Sequence, residues 1–218
     1  MSIVVPDTVE IELGPKRLKA LLGVPPDAAG LVIFAHGSGS GRLSPRNNRV
    51  AAALRDGGLA TLLLDLLTPE EERDRANVFD IPLLASRLSY ATDWAIGAPE
   101  TAHLPIGYFG ASTGAAAALV AAAVPRSPVK AIVSRGGRPD MAGDALPRVQ
   151  APTLLIVGSL DHQVIELNRW AYERLGGPKE LIIIEGAGHL FEEPGALAQV
   201  ERHAARWFRY HLAGDGGA

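Results

Sequence analysis

The sequence predicts a single α/β domain built on a mostly parallel eight-stranded sheet, with an antiparallel pair of strands at its start and helices on both faces. Three observations predict this class. Apolar runs typical of buried strands alternate with amphipathic stretches, glycine and proline mark the turns between them, and 218 residues are enough for one hydrophobic core. Alternating strands and helices require right-handed crossovers and place ligand chemistry at the carboxyl ends of the strands.

Eight extended runs account for the sheet. Residues 3–13 and 18–24 flank a Gly14-Pro15 turn, which predicts an antiparallel pair. Six apolar runs follow and are expected to be parallel: 31–35, 60–64, 106–109, 131–133, 153–157 and 181–184.

Four helices are marked by caps and apolar stripes. Ser44 and Pro45 predict the start of the first, which ends before residues 57–58. Asp80 caps the second, whose apolar face continues to about residue 96. The third spans 164–175 and stops at two glycines, and the last contains the stripe 197–208. The charged run 70–75 is interpreted as a solvated loop.

Composition excludes several kinds of function. The formal net charge is −3 with no cluster of Lys or Arg, so nucleic acid is not an expected partner. No cysteine is present, which excludes disulfides, thiolate metal sites and a cysteine nucleophile. Residues 1–13 lack the basic and apolar regions of a signal peptide, and the longest apolar stretch, 115–124, is too short to span a bilayer. We therefore expect a cytoplasmic protein with no membrane partner.

The domain is expected to cover residues 1–213, followed by a frayed tail at 214–218. Residues 135–151, between the sixth and seventh strands, are too few for a large helical cap. An uncapped, open site favours small or short-chain acyl groups over long lipids.

Ser112 is the candidate nucleophile. The strand at 106–109 runs into Gly110-Ala111-Ser112-Thr113-Gly114, and an alanine-rich helix follows, which is the context of a nucleophile elbow. The turn strains the serine backbone and leaves no room for side chains at its two flanking glycines.

A serine hydroxyl needs a base, and the base needs a third group that fixes its tautomer. His189 lies in a glycine-flanked loop after the last strand, and Asp161 lies in the loop after the seventh, in the order that an elbow of this kind requires. Asp140, after the sixth strand, is an alternative source of the carboxylate. No cofactor and no metal ion are needed for this chemistry.

The oxyanion hole is expected to use the N–H of Thr113 and a second N–H from the glycine-rich loop that follows the third strand. Ser38 is the favoured donor and Gly39 the alternative, while Gly37 and Gly39 let a substrate approach the backbone. This loop lacks the Gly-Lys-Ser/Thr ending and the glycine spacing of nucleotide-binding loops.

Three arginines lie in or near loops at the carboxyl ends of the strands: Arg42, Arg46 and Arg135. They could line the rim of the cleft and hold an acidic substrate, although exposed arginines in loops are common.

In these motifs and their order, the chain resembles the dienelactone hydrolase family of the α/β-hydrolase superfamily along nearly its whole length. The resemblance implies the α/β-hydrolase fold and hydrolase activity. Dienelactone hydrolases proper carry cysteine as the nucleophile, and Ser112 departs from that pattern, which moves the expectation toward plain carboxylesters. Similar domains also occur joined to phosphoribosyltransferases, so a partner enzyme domain outside this chain is possible.

The sequence thus predicts a carboxylesterase that forms an acyl-enzyme on a small-molecule ester, as a monomer or small homo-oligomer. Alternatives that use the same residues are a thioesterase or acyltransferase and a peptidase, and a further alternative is a ligand-binding protein without activity.

Overall fold

The computed structural model describes residues 7–212, which contain one eight-stranded sheet with the order β1-β2-β4-β3-β5-β6-β7-β8. The strands are β1 (Val9–Leu13), β2 (Leu18–Gly23), β3 (Leu31–Ala35), β4 (Ala60–Leu64), β5 (Ile106–Ala111), β6 (Val129–Arg135), β7 (Thr153–Gly158) and β8 (Lys179–Ile184). Strands β3 to β8 pair in parallel, whereas β1–β2 and β2–β4 pair antiparallel. The predicted fold class and all eight strands are confirmed.

The first strand is shorter than predicted. It begins at Val9, because Asp7 has a φ of +59° and this left-handed conformation interrupts extended backbone. The remainder of the predicted run, residues 3–6, lies outside the described residues, as does the predicted tail at 214–218. The turn into β2 uses positive φ at Gly14 and Arg17.

The helices are α1 (Pro45–Asp56), α2 (Arg75–Val78), α3 (Ile81–Gly97), α4 (Thr113–Ala122), α5 (His162–Arg174) and α6 (Ala196–Leu212). Two predicted caps are present, since the side chains of Ser44 and Asp80 accept hydrogen bonds from N–H groups in the first turns of α1 and α3. A 3-10 turn at Glu71–Arg73 and the first residue of the short α2 lie in the segment 70–75 that was interpreted as a loop, and most side chains of this segment are exposed.

Helices cover both faces of the sheet and bury two large cores. One core lies under α3 and α4, and the other lies under α1 and α6. Between β6 and β7 the chain forms 3-10 turns at Pro139–Arg148, which pack against α4 and α5 and leave no large cap over the strand ends. Within residues 7–212, no helix has the length and apolar character needed to cross a membrane.

Candidate active site

Ser112 lies in a strained turn between β5 and α4. Its φ of +50° and ψ of −123° are unusual for a residue with a side chain, and such strain persists only where the surroundings enforce it. Its carbonyl accepts hydrogen bonds from the N–H groups of Ala115 and Arg138, which fix the turn from both sides. The hydroxyl therefore stands at the N-terminus of α4, where unpaired N–H groups favour negative charge.

The flanking glycines are required by packing. A Cβ on Gly114 would overlap the carbonyl oxygen of Ala35 and lie 2.5 Å from that of His36, and a Cβ on Gly110 would overlap the backbone of Ala115. The sequence pattern at this turn thus reflects the close approach of β3, β5 and α4.

His189 and Asp161 meet at the carboxyl edge of the sheet. The distance from His189 Nδ1 to Asp161 Oδ2 is 2.6 Å, which is a short hydrogen bond. Their side chains are 41% and 16% exposed. With Nδ1 protonated, this contact leaves Nε2 of His189 free to accept a proton.

The alternative carboxylate has a different partner. Both oxygens of Asp140 accept hydrogen bonds from the guanidinium of Arg138, at 2.9 and 2.8 Å. His162, at the start of α5, is exposed. The structure therefore brings Asp161, and not Asp140, into contact with His189.

The buried side chain of His36 fixes the loop after β3 through two hydrogen bonds. The Leu66 N–H donates to His36 Nε2 at 2.9 Å, so Nδ1 carries the proton and donates to the Gly37 carbonyl. Burial lowers the pKa of His36. A Cβ on Gly37 would lie 2.8 Å from the Cβ of Ser112, so the loop passes directly beside the elbow.

A cavity of about 130 Å³ adjoins this loop. Its walls are His36, Gly37, Ser38, Gly39, Leu67, Glu72, Val78, Leu84 and Thr113. Ser38, Gly39 and Thr113 therefore line one cavity beside Ser112. Ser38 and Gly39 are the two alternative donors of the second oxyanion N–H, and both line this cavity. The contribution of Leu84 and Glu72 to this cavity was not predicted. The apolar stripe that contains Leu84 indicated only a helix that faces the core, and Glu72 was assigned to a solvated loop.

The three arginines have separate environments. Arg42 is bound to Asp65 and Glu10, and Arg46 pairs with Glu192 at 2.7 Å. Arg135 is 8% exposed, and its Nη2 donates a hydrogen bond to Asn47 Oδ1 at 3.3 Å. Among the described residues, Nε of Arg42 and both Nε and Nη1 of Arg135 are buried without a hydrogen-bond partner.

One solved structure matches almost the whole chain at high identity. The dienelactone hydrolase of Anabaena variabilis is 57% identical, covers 94% of this chain and 97% of its own, and superposes with a TM-score of 0.89. The chain belongs to the dienelactone hydrolase family. The shared fold and the 57% sequence identity with this relative support the conclusion that the chain is a hydrolase.

Other relatives of this dienelactone hydrolase family member either carry a different name or have a much lower sequence identity. Proteins from two strains of Mycobacterium tuberculosis, which carry the provisional name phosphoribosyl transferase, are 59% identical over 210 residues. That match covers 96% of this chain and 47% of theirs, so the chain spans about half the length of these curated relatives. A serine hydrolase homologue of Coxiella burnetii, 18% identical with a TM-score of 0.76, covers 94% of this chain and 99% of its own and shares the fold. No family model matches the chain.

Proposed function

We propose that this family member is a serine esterase that hydrolyses carboxylic esters with small acyl groups through Ser112, His189 and Asp161. The observation that carries the proposal is the strained backbone of Ser112 at the head of α4, with φ at +50°. Such strain costs of order 1–3 kcal/mol, and it is maintained at sites where it positions a reactive group.

The proposed mechanism assigns one task to each group. His189 Nε2 takes the proton of Ser112 Oγ as this oxygen attacks the ester carbonyl, and the Asp161 carboxylate holds the imidazole and stabilises its positive charge. The N–H groups of Thr113 and Ser38 bind the oxyanion. His189 then protonates the leaving alcohol, and a water molecule, activated by the same imidazole, releases the acid.

The cavity beside Ser38 and Thr113 is the proposed acyl site. The cavity is small, with a volume of about 130 Å³. Its apolar wall, formed by Leu67, Val78 and Leu84, suits a short hydrocarbon chain. Acetyl to butyryl esters are therefore the proposed substrates.

The test is hydrolysis of p-nitrophenyl acetate, butyrate, octanoate and decanoate by wild type and by Ser112→Ala. We expect acetate or butyrate to be fastest and the variant to lose roughly 10³-fold or more in kcat. Ser86→Ala is the matched control, because the hydroxyl of this exposed serine of α3 donates to the Leu83 carbonyl of its own helix. Turnover that survives Ser112→Ala, or decanoate cleaved faster than butyrate, would contradict the proposal.

The phosphoribosyl transferase name of the mycobacterial relatives is attributed to the part of those proteins that this chain does not span. The chain covers 47% of their length, and its own site is built around a serine elbow. Assay of this chain for phosphoribosyl transfer is therefore expected to give no product.

A further inference from the structure

The two edges of the sheet differ in how they are protected against pairing with another strand. β1 forms one edge and carries Glu10 and Glu12, and charged side chains of this kind discourage the addition of a strand. β8 forms the other edge, ends in the apolar run 181–184, and contains neither proline nor glycine. Ile183 in this run is 37% exposed. An exposed apolar edge without such protection is a template for a further strand.

The hydrogen bonds of β8 show which of its backbone groups face outward. The carbonyls of Pro178 and Ile184 accept hydrogen bonds from N–H groups at the two ends of β7, so the backbone groups of these residues point toward β7. The direction alternates along a strand, and the N–H and C=O groups of Lys179, Leu181 and Ile183 therefore face away from β7. No strand within residues 7–212 pairs with these groups, because β8 is the last strand of the sheet.

Two opposite charges flank the apolar run of β8. Lys179 begins the strand and donates to the neutral Leu175 carbonyl, while Glu185 follows the strand and accepts from the Ser159 hydroxyl at 3.3 Å. Neither charge forms an ion pair within the described part of the chain. An even number of positions separates them, so both side chains lie on the same face of the sheet. An antiparallel copy of β8 would therefore present the complementary charge at each end.

We infer that β8 is a dimerisation edge, at which two copies of this chain pair their β8 strands antiparallel about a two-fold axis through Ile182. In this register Lys179 of each copy lies opposite Glu185 of the other, and Leu181 lies opposite Ile183. The outward N–H and C=O groups of Leu181 and Ile183 exchange hydrogen bonds, and Ile182 meets its counterpart in a non-hydrogen-bonded pair. An axis at Leu181 or Ile183 would keep the hydrogen bonds but would separate the opposite charges.

A groove beside β8 adds to the surface that this dimer buries. It has a volume of about 570 Å³, lies between β8 and α6, and is lined in part by Ile182, Trp207 and Tyr210. Tyr210 is 79% exposed. The two-fold axis is perpendicular to the sheet, so it brings α6 of the second copy to the same face, antiparallel to the first α6. A stable dimer buries roughly 1,200–2,000 Å² in total, so these helices take part as well as the strands.

Charge reversal tests the pairing of the strand ends. Sedimentation equilibrium of wild type up to about 200 µM should show a dimer. Lys179→Glu and Glu185→Lys should each weaken dimerisation about 10-fold or more, because like charges then oppose each other at both ends of the strand pair. Lys130→Glu is the matched control, since it makes the same change at an exposed residue of β6, and its dimerisation should stay within about twofold of wild type.

Mixing the two variants separates pairing from damage to the fold. An equimolar mixture of Lys179→Glu and Glu185→Lys should form a heterodimer about as stable as the wild-type dimer, because each end again joins an acid to a base. Damage to either fold would not be repaired by mixing. A wild type that stays monomeric, or a mixture that associates no better than its components, would overturn the dimer and leave this edge for a protein other than this chain.

A single engineered cysteine tests the position of the axis, because the chain has no cysteine of its own. Ile182→Cys should form a covalent dimer under mild oxidation, since the two Cα atoms of a non-hydrogen-bonded pair are about 4.5 Å apart and a disulfide spans that distance. Ile183→Cys should not, although Ile183 is the more exposed residue, because its two copies lie diagonally, more than about 7 Å apart. Crosslinking at Ile183 rather than Ile182, or at neither, would overturn the inferred pairing.

Discussion

The two halves of the candidate site are held in place by different means. Ser112 lies in a turn whose neighbours, Gly110 and Gly114, touch backbone on β3 and α4 with no space for a methyl group. His189 lies in a loop that is largely exposed, where its own side chain is 41% exposed. That loop is attached by the contact with Asp161 and by Phe191, which is 1% exposed and packs into the core under α1 and α6. A backbone hydrogen bond from the Leu160 N–H to the Ala187 carbonyl also attaches it.

This difference teaches that the nucleophile is positioned by a buried backbone turn, whereas the base lies in a more exposed loop that both side chains and backbone contacts hold. Changes at the elbow should therefore reduce stability and activity together, because the turn is part of the core. Changes at the contact between His189 and Asp161 should reduce activity with little loss of stability, because that contact is near solvent.

The largest effect is expected from Asp161→Asn. The amide keeps the shape of the side chain but removes the charge that stabilises the imidazolium and selects its tautomer, so kcat should fall by about 10³ to 10⁴-fold. Urea unfolding should change by less than about 1 kcal/mol, because the pair is partly exposed.

Asp140→Asn is the matched control for Asp161→Asn. This carboxylate contacts Arg138 and not His189, so turnover should stay within about twofold of wild type. The opposite result, in which Asp140→Asn loses turnover and Asp161→Asn keeps it, would show that the alternative carboxylate serves the histidine.

Gly114→Ala should produce the next largest effect, and it should be a loss of stability. The new methyl group would meet the carbonyl oxygens of Ala35 and His36, which are backbone atoms at and just after the end of β3 and cannot rotate away. Overpacking of this kind costs about 3 kcal/mol or more, measured by urea unfolding, and activity should fall with it.

Gly97→Ala provides the comparison for Gly114→Ala. Gly97 ends α3 and has open space where the methyl group would be, so this variant should be neutral or more stable by up to about 1 kcal/mol. Equal stability of the two alanine variants would mean that the elbow is not fixed by packing.

The fold and the positions of the candidate site residues could be predicted because their signals are local. The apolar runs and the caps at Ser44 and Asp80 reflect contacts within a few residues or the period of one element. The glycines around Ser112 form a motif that is recognised locally, although Gly114 is required by its contact with the end of β3. The order of the strands then brings the loops of Asp161 and His189 to one edge of the sheet.

The walls of the cavity could not be predicted in the same way. Leu67, Val78 and Leu84 come from three separate segments, and only tertiary packing shows that they face one space. The partners of Arg42 were also out of reach, because Asp65 and Glu10 come near it only through the pairing of β1, β2 and β4. Sequence spacing carries no information about such contacts.

The smallest predicted effect concerns acid stability and tests how firmly the nucleophile half is fixed. Burial lowers the pKa of His36 below its ordinary value of 6.5, while in the unfolded chain this histidine titrates normally. As the pH falls through 6.5, His36 therefore binds a proton in the unfolded chain but stays neutral in the folded protein. The corresponding stability is fully present above about pH 6.5 and is lost below it, by no more than about 1.4 kcal/mol per pH unit.

Urea unfolding of wild type and His36→Asn between pH 7.5 and about 5 measures this loss, with the ordinary histidine pKa inside the range. The variant should be less stable than wild type at pH 7.5, because the Leu66 N–H loses its acceptor, but its stability should decline less steeply with acid. Parallel declines in the two proteins would mean that His36 accepts a proton within the fold. The loop beside Ser112 would then be less rigid than its hydrogen bonds indicate, and the contrast between the two halves of the site would be weaker.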